Sequence, residues 1–242
     1  MLITGAAGLV GGQLREHWGD RHRLRLADIR PVGDLAAHEE YRQLDITDVD
    51  DFAAACDGFD VVVHLAADTS PGAEFYDTLL PLNIIGAYNA FEAARRAGCR
   101  RLVVASSVHA VQGYRRHTSI EWDAPVYPES MYGATECWAE ALARVYSTQH
   151  RLSVICARIC SVRFDQGGDW DPDQPEDNLS LRDCAQLFLR CVEAEGVEWA
   201  IVHGTSRHRN AWMSLDHTTD LVGYQPQDGT AFPKTATGGP QR

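Results

Sequence analysis

Leu2-Ile3-Thr4-Gly5-Ala6-Ala7-Gly8-Leu9-Val10-Gly11 stands almost at the start of the chain. A short apolar stretch runs into a glycine turn, and a helical pattern begins at Leu9. That is the setting in which such a turn holds a dinucleotide. Gly5 permits the tight turn, Gly8 lets the backbone approach a pyrophosphate, and Gly11 allows close helix–strand packing, while Leu9 and Val10 open the helix whose N-terminus faces the phosphates. A glycine triplet alone is weak evidence. Here the next strand ends in Asp28, seventeen positions after Gly11, where a carboxylate can take the ribose hydroxyls and repel a 2′-phosphate. NAD is therefore expected in preference to NADP, although Arg30 nearby leaves NADP in play.

Outward from the turn, short apolar runs alternate with helical patterns. Strands are predicted near 1–4, 23–28, 60–66, 101–106, 153–159 and 199–203. Helices are predicted from Leu9 to Gly19, after the N-cap pair Thr47-Asp48, from Ile84 to a C-terminal glycine cap at Gly98, and from Tyr132 to about Tyr146. The last is expected to bury Cys137, Trp138, Leu142 and Val145. Such alternation demands crossover connections, so the fold class is α/β, a Rossmann-type doubly wound parallel sheet covered on both faces. The dinucleotide-binding part is placed at 1–160. Residues 161–242 form a small substrate-binding part and tail, within one structural unit. The stretch 164–183 holds Asp165, Asp169, Asp171, Asp173, Glu176 and Asp177 ahead of Arg182, and reads as a long loop, either a lid or a solvated acidic segment. Residues 225–242, rich in Pro, Gly, Gln and Thr, are expected to fray.

Composition narrows the partners. A net charge of −12 over 242 residues speaks against nucleic acid and anionic membranes, which leaves a small molecule. No basic head or long apolar run marks a secretory signal or membrane span, and a cytoplasmic protein is expected. The seven cysteines are scattered without a C-x-x-C pair, so they signal neither a disulfide framework nor a metal site. Lys234 is the sole lysine.

The spacing T-G-x-x-G-x-x-G, with the segments that follow it, resembles the short-chain dehydrogenase/reductase superfamily in its extended epimerase/dehydratase branch. Asp45-Ile46 is similar to the pair that flanks the adenine. Leu65, Ala66 and Ala67, after Val63-His64, resemble the strand end that lines the cofactor, and Asn83, opening a helix, the structural asparagine. Ser107, ending Ala105-Ser106-Ser107, and Tyr132 match the catalytic hydroxyl and the start of Y-x-x-x-K. Within that branch the chain resembles the uronate dehydrogenases through Ser107-Val108-His109, Met131-Tyr132-Gly133, Glu140 to Tyr146, and Gly223-Tyr224-Gln225-Pro226. The resemblance implies hydride transfer through NAD at a hydroxyl of a sugar-like substrate, with Ser107, His109 and Tyr132 contacting it. It also implies a homodimer built on helices 84–97 and 131–148. Arg163 is the one candidate in 161–180 for gripping a substrate carboxylate.

The chain departs from this pattern at Glu136, which stands where the lysine of Y-x-x-x-K belongs. Four residues apart on a helix, Tyr132 and Glu136 share a face. A carboxylate can still accept hydrogen bonds from the nicotinamide ribose. Its charge acts on Tyr132 with the opposite sign, and a free tyrosine, pKa about 10, is ionised in only roughly one molecule in a thousand at pH 7. Three readings stay open. Tyr132 acts protonated, with Glu136 or His109 as base; or the reaction is a redox-neutral epimerisation that retains NAD; or the chain is a catalytically retired NAD-binding module.

Overall fold

In the computed structural model, residues 1–70, 72–114, 119–163, 178–208 and 211–229 are described. Leu2, Ile3 and Thr4 are fully buried and form β1 (Leu2–Thr4), the third strand of a seven-stranded parallel sheet. The chain runs outward through α1 (Leu9–Trp18) to β2 (Leu24–Asp28) and β3 (Glu39–Gln43). It then returns past α2 (Val49–Cys56) to place β4 (Val61–His64) on the other side of β1. A π-helical segment (Phe75–Gly86) leads into α3 (Ala87–Arg96), followed by β5 (Arg101–Ser107), α4 (Met131–His150) and β6 (Ser153–Ile159). The small pair β7 (Ser161–Arg163) and β8 (Asn178–Ser180) precedes α5 (Leu181–Glu193), β9 (Trp199–Gly204) and α6 (Asp216–Val222). The order is β3-β2-β1-β4-β5-β6-β9. Strand order reverses between β1 and β4, which opens a crevice at the C-terminal ends of the strands, where such sheets bind ligands.

Each face of the sheet carries its own core. On one, Leu14 and Trp18 of α1 pack with Leu187 and Phe188 of α5, and the Trp18 indole N–H donates to the Ala185 carbonyl at 2.9 Å. On the other, Phe52, Phe91, Leu142 and Tyr146 join α2, α3 and α4. All seven cysteines carry free thiols, and six are buried.

The helix boundaries at the N-terminal half follow from their caps. Asp48 accepts from the Asp50 and Asp51 amides at 3.0 Å, and the chain leaves α3 through Gly98 at φ +69°. Four readings need correction. Asn83 does not open a helix: the helical path already begins at Phe75, because a widened turn containing Pro81 hides the usual 3.6-residue period. Trp138 and Val145 are exposed and Cys137 is half-buried, since α4 turns Tyr132, Glu136, Ala139, Glu140 and Ala143 to the core instead. Third, the stretch 164–183 is not loop throughout, for its last residues form β8 and open α5. Positions 164–177, including all six acidic residues, lie outside the described residues.

Residues 225–229 are tied down rather than frayed. The Gln227 and Asp228 amides donate to the fully buried Asp183 carboxylate at 2.6 and 3.1 Å, and Asp228 takes the Ser180 hydroxyl and the Arg182 guanidinium. Positions 230–242 fall outside the described residues.

Candidate active site

A cleft of about 550 Å3 follows the C-terminal ends of β1, β2, β4, β5 and β6. At one end lies the glycine turn. Gly5 holds φ +71°, and a Cβ there would sit 2.9 Å from the Ala66 nitrogen, so only glycine lets the segment after β4 close onto the turn; Gly11 likewise lies against Ala6. Gly8, Leu9 and Val10 complete this wall. Asp28 reaches under the turn and accepts the Ala7 amide at 3.0 Å and the Arg30 amide at 2.9 Å. The Arg30 guanidinium stands 3.7 Å from the same carboxylate and donates to the Ala7 carbonyl. Asp28 therefore shapes the turn as well as presenting an acceptor to the cleft.

Asp45 and Ile46 flank the cleft beside Asp28. The Asp45 carboxylate is held by the Thr47 amide (2.9 Å) and hydroxyl (2.7 Å), and Ile46 is buried against Gly86. Leu65, Ala66 and Ala67 form the floor between the two ends. A glycine cradle, a carboxylate at the end of β2 and an apolar slot for a flat ring occupy one continuous crevice, which is the set of features a dinucleotide needs.

Ser107, His109 and Tyr132 meet at the opposite end. The His109 amide donates to the Ser107 hydroxyl at 3.2 Å, and the His109 and Tyr132 rings pack edge to face with centroids 5.3 Å apart. Gly133 allows this: a side chain there would collide with the His109 carbonyl. α4 starts at Ser130, whose hydroxyl caps the Gly133 amide at 3.0 Å and fixes Tyr132 in the first turn. Burial pushes the Tyr132 phenol well above its ordinary value, the Glu136 charge adds to that, and the Ser107 hydroxyl opposes it.

Two expected cofactor residues lie deeper. Asn83 and Glu136 line not this cleft but a cavity of about 90 Å3 behind Tyr132. The Asn83 amide is used by the chain itself: it donates to the Asp68 carbonyl (2.9 Å) and Thr135 hydroxyl (3.1 Å) and accepts the Asp68 amide (2.9 Å). Glu136 is buried, and desolvation, reinforced by the Glu140 charge, raises its carboxyl to about 8. Arg163 ends β7 opposite Ser180, and its side chain lies outside the described residues. The structure adds residues that sequence reasoning did not single out: Thr69, Leu82, Ser161 and Val162 also wall the cleft. Ser161 and Val162 come one residue after the β6 end, a position the strand-end rule would have flagged.

Residues 1–165 match the NAD dependent epimerase/dehydratase family. The chain belongs to that family. It is 33% identical over 256 residues to NAD-dependent glucose-6-phosphate dehydrogenase of Haloferax volcanii, spanning 96% of this chain and 94% of that one. It is 34% identical over 238 residues to uronate dehydrogenase of Pseudomonas putida, spanning 95% and 84%. A mutant uronate dehydrogenase from Agrobacterium tumefaciens, solved in complex with NAD, superposes with a TM-score of 0.83 at 31% identity, covering 94% of this chain and 84% of that one. This epimerase/dehydratase family member is an enzyme of the short-chain dehydrogenase/epimerase type, and its cofactor is NAD.

Proposed function

We propose that this enzyme oxidises a hydroxyl-bearing carbon of a sugar-like substrate, as the sugar dehydrogenases it resembles act on theirs. The observation that carries the reading is the convergence of Ser107, His109 and Tyr132 at one end of a cleft whose other end is the glycine turn. NAD, when bound, supplies the hydride acceptor. Gly8, Leu9, Val10 and the α1 N-terminus would hold its phosphates, Asp28 the adenosine ribose, Asp45 and Ile46 the adenine, and Leu65 to Ala67 the middle of the molecule. Tyr132 and Ser107 are assigned to hydrogen-bond the reacting hydroxyl, His109 to orient a neighbouring one, and Arg163 to meet a substrate anion. Asn83 serves by fixing the Asp68 loop and α4.

The outward face of the helices supports a homodimer. Ile85, Tyr88, Trp138 and Val145 are exposed apolar residues on the segments around α3 and α4, and a homodimer pairing these helices would cover them. No helix of the described residues is long and apolar enough to cross a membrane. The free buried thiols suit a reducing cytoplasm.

The test is NADH formation by the purified protein with a panel of uronates, aldoses and aldose phosphates. Turnover with exchangeable NAD is expected, reduced about a thousandfold in Tyr132→Phe while NAD affinity stays within a fewfold. Tightly retained NAD with an epimerised product would replace the dehydrogenase reading by epimerisation. Good NAD binding without turnover on any sugar would mean a retired module.

A further inference from the structure

Behind Tyr132, the inner cavity is lined by the buried polar side chains of His64, Asn83, Ser106, Thr135 and Glu136. Four of these are committed. His64 Nδ1 is bonded to the Thr4 hydroxyl at 2.8 Å, and burial lowers the imidazole to about 4, so it stays neutral. Asn83 is engaged at both amide atoms as described above. Ser106 donates to Glu140 at 2.8 Å, and the Thr135 hydroxyl donates to the Tyr132 carbonyl at 2.7 Å. Glu136 alone makes no hydrogen bond or ion pair among the described residues. Its neighbour one turn on, Glu140, is also buried but holds Arg158 at 2.7 and 2.8 Å. The cavity joins the main cleft along the Tyr132 ring, since Val10, Leu65, Ala66, Leu82 and Tyr132 line both. At about 90 Å3 it has room for water, and a carboxyl group with open valences is its natural anchor.

We propose that Glu136 is the terminal base of the reaction, receiving through Tyr132 and water in the inner cavity the proton that the substrate hydroxyl loses. The proposal rests on the dehydrogenase reading above. As the substrate C–H bond releases hydride to NAD+ and its C=O forms, the hydroxyl proton passes to the Tyr132 oxygen. The phenol's own proton leaves on the other side, through cavity water, to the Glu136 carboxylate, which becomes the acid. Tyr132 never has to hold a full negative charge, which its burial opposes. Carbonyl reduction runs the same transfers backwards from protonated Glu136.

Oxidation then requires ionised Glu136, and its rate rises with pH through that ionisation, near 8. The other charged or titratable groups around this region are His109 against the Tyr132 ring, Cys137 and Glu140 on α4, Arg158 and Cys156 on β6, His64 on β4 and Asp68 beyond it. On α4, Cys137 is raised to about 11 by burial, and Glu140 is tied to Arg158 of β6. Cys156 of β6 is raised further by burial, His64 of β4 stays neutral, and Asp68 faces Tyr132 from the loop beyond β4 and raises its phenol slightly.

Two measurements on the whole enzyme test this. In infrared difference spectra taken without substrate, a buried carboxylic-acid carbonyl band should disappear between pH 6 and pH 10 and be missing from Glu136→Gln. In steady state, Glu136→Gln should lower the oxidation kcat about a hundredfold or more and flatten its rise near pH 8, with NAD affinity within a fewfold of the parent. A parent without that band, or a Glu136→Gln variant that keeps the kcat and pH profile of the parent, overturns the proposal and leaves the dehydrogenase reading standing. A parent that turns over no sugar overturns both.

Discussion

At the glycine-turn end of the cleft, acidic side chains are anchored: Asp28 takes two backbone amides with Arg30 beside it, and Asp45 takes both Thr47 donors. At the Tyr132 end, Glu136 is buried with no donor among the described residues and with another carboxylate, Glu140, as its near charge. The difference matches two kinds of task. Holding a ribose needs an acceptor fixed in place. Moving a proton needs a group whose two protonation states lie close in free energy near neutral pH, and burial without a cation is how a protein brings a carboxyl there.

The contrast can be broken most forcefully at Glu140. Glu140→Ala removes the compensation of Arg158, which is only 1% exposed, and should cost about 3–5 kcal/mol. Urea unfolding would measure it. A loss below about 1 kcal/mol would mean that the bond from Arg158 to the Trp122 carbonyl suffices, and that the two stacked glutamates are less different than their contacts imply.

Glu136→Gln should act with the opposite sign. The folded chain keeps this proton up to about pH 8, whereas an unfolded glutamate loses it near 4.5, so stability contributed by the protonated side chain is complete below about 4.5 and is lost as pH rises to about 8. The amide escapes that loss. Its advantage should be near zero at pH 4.5 and level off above pH 8 at about 3–5 kcal/mol, visible as a Tm difference that widens with pH. A Tm difference constant with pH would show that Glu136 is ordinarily ionised in the fold.

The smallest effect is expected at Asp28. Asp28→Ala removes the acceptor of the Ala7 and Arg30 amides and releases the Arg30 guanidinium. NAD affinity should fall about tenfold, about 1.4 kcal/mol, and NADP affinity less, so the preference narrows. Calorimetric titration with both cofactors would show it, and an unchanged preference would remove Asp28 from the ribose.

The glycine-turn end was legible because its requirements are local. A turn that must bring backbone to phosphate admits few residues, and glycine spacing records that directly. At the Tyr132 end the sequence offered only separate side chains, Ser107, His109 and Tyr132, which the structure brings together in the cleft, and the inner cavity exists only where β4, the π-helical segment and α4 come together. β3 was missed because its sequence, Glu-Glu-Tyr-Arg-Gln, has no apolar alternation to offer at a sheet edge. The inner face of α4 was misjudged for the converse reason, that its core-facing side contains two glutamates while tryptophan and valine face outward. α5 was overlooked although its signal was present, since Leu181, Cys184, Ala185, Phe188, Cys191 and Val192 recur at helical spacing and are all buried.

The place of β9 has a consequence for how the chain is made. β6 pairs with β5 on one side and with β9 on the other, residue 154 meeting residue 199. During synthesis the first six strands are complete some forty residues before β9 arrives, and for that interval the far edge of β6 carries unpaired amides and carbonyls on Val154 to Ile159. A stalled or truncated product ending between the two strands would therefore display a ready template for pairing with another chain, and aggregation of such fragments, more than their loss of activity, would be the cell's difficulty.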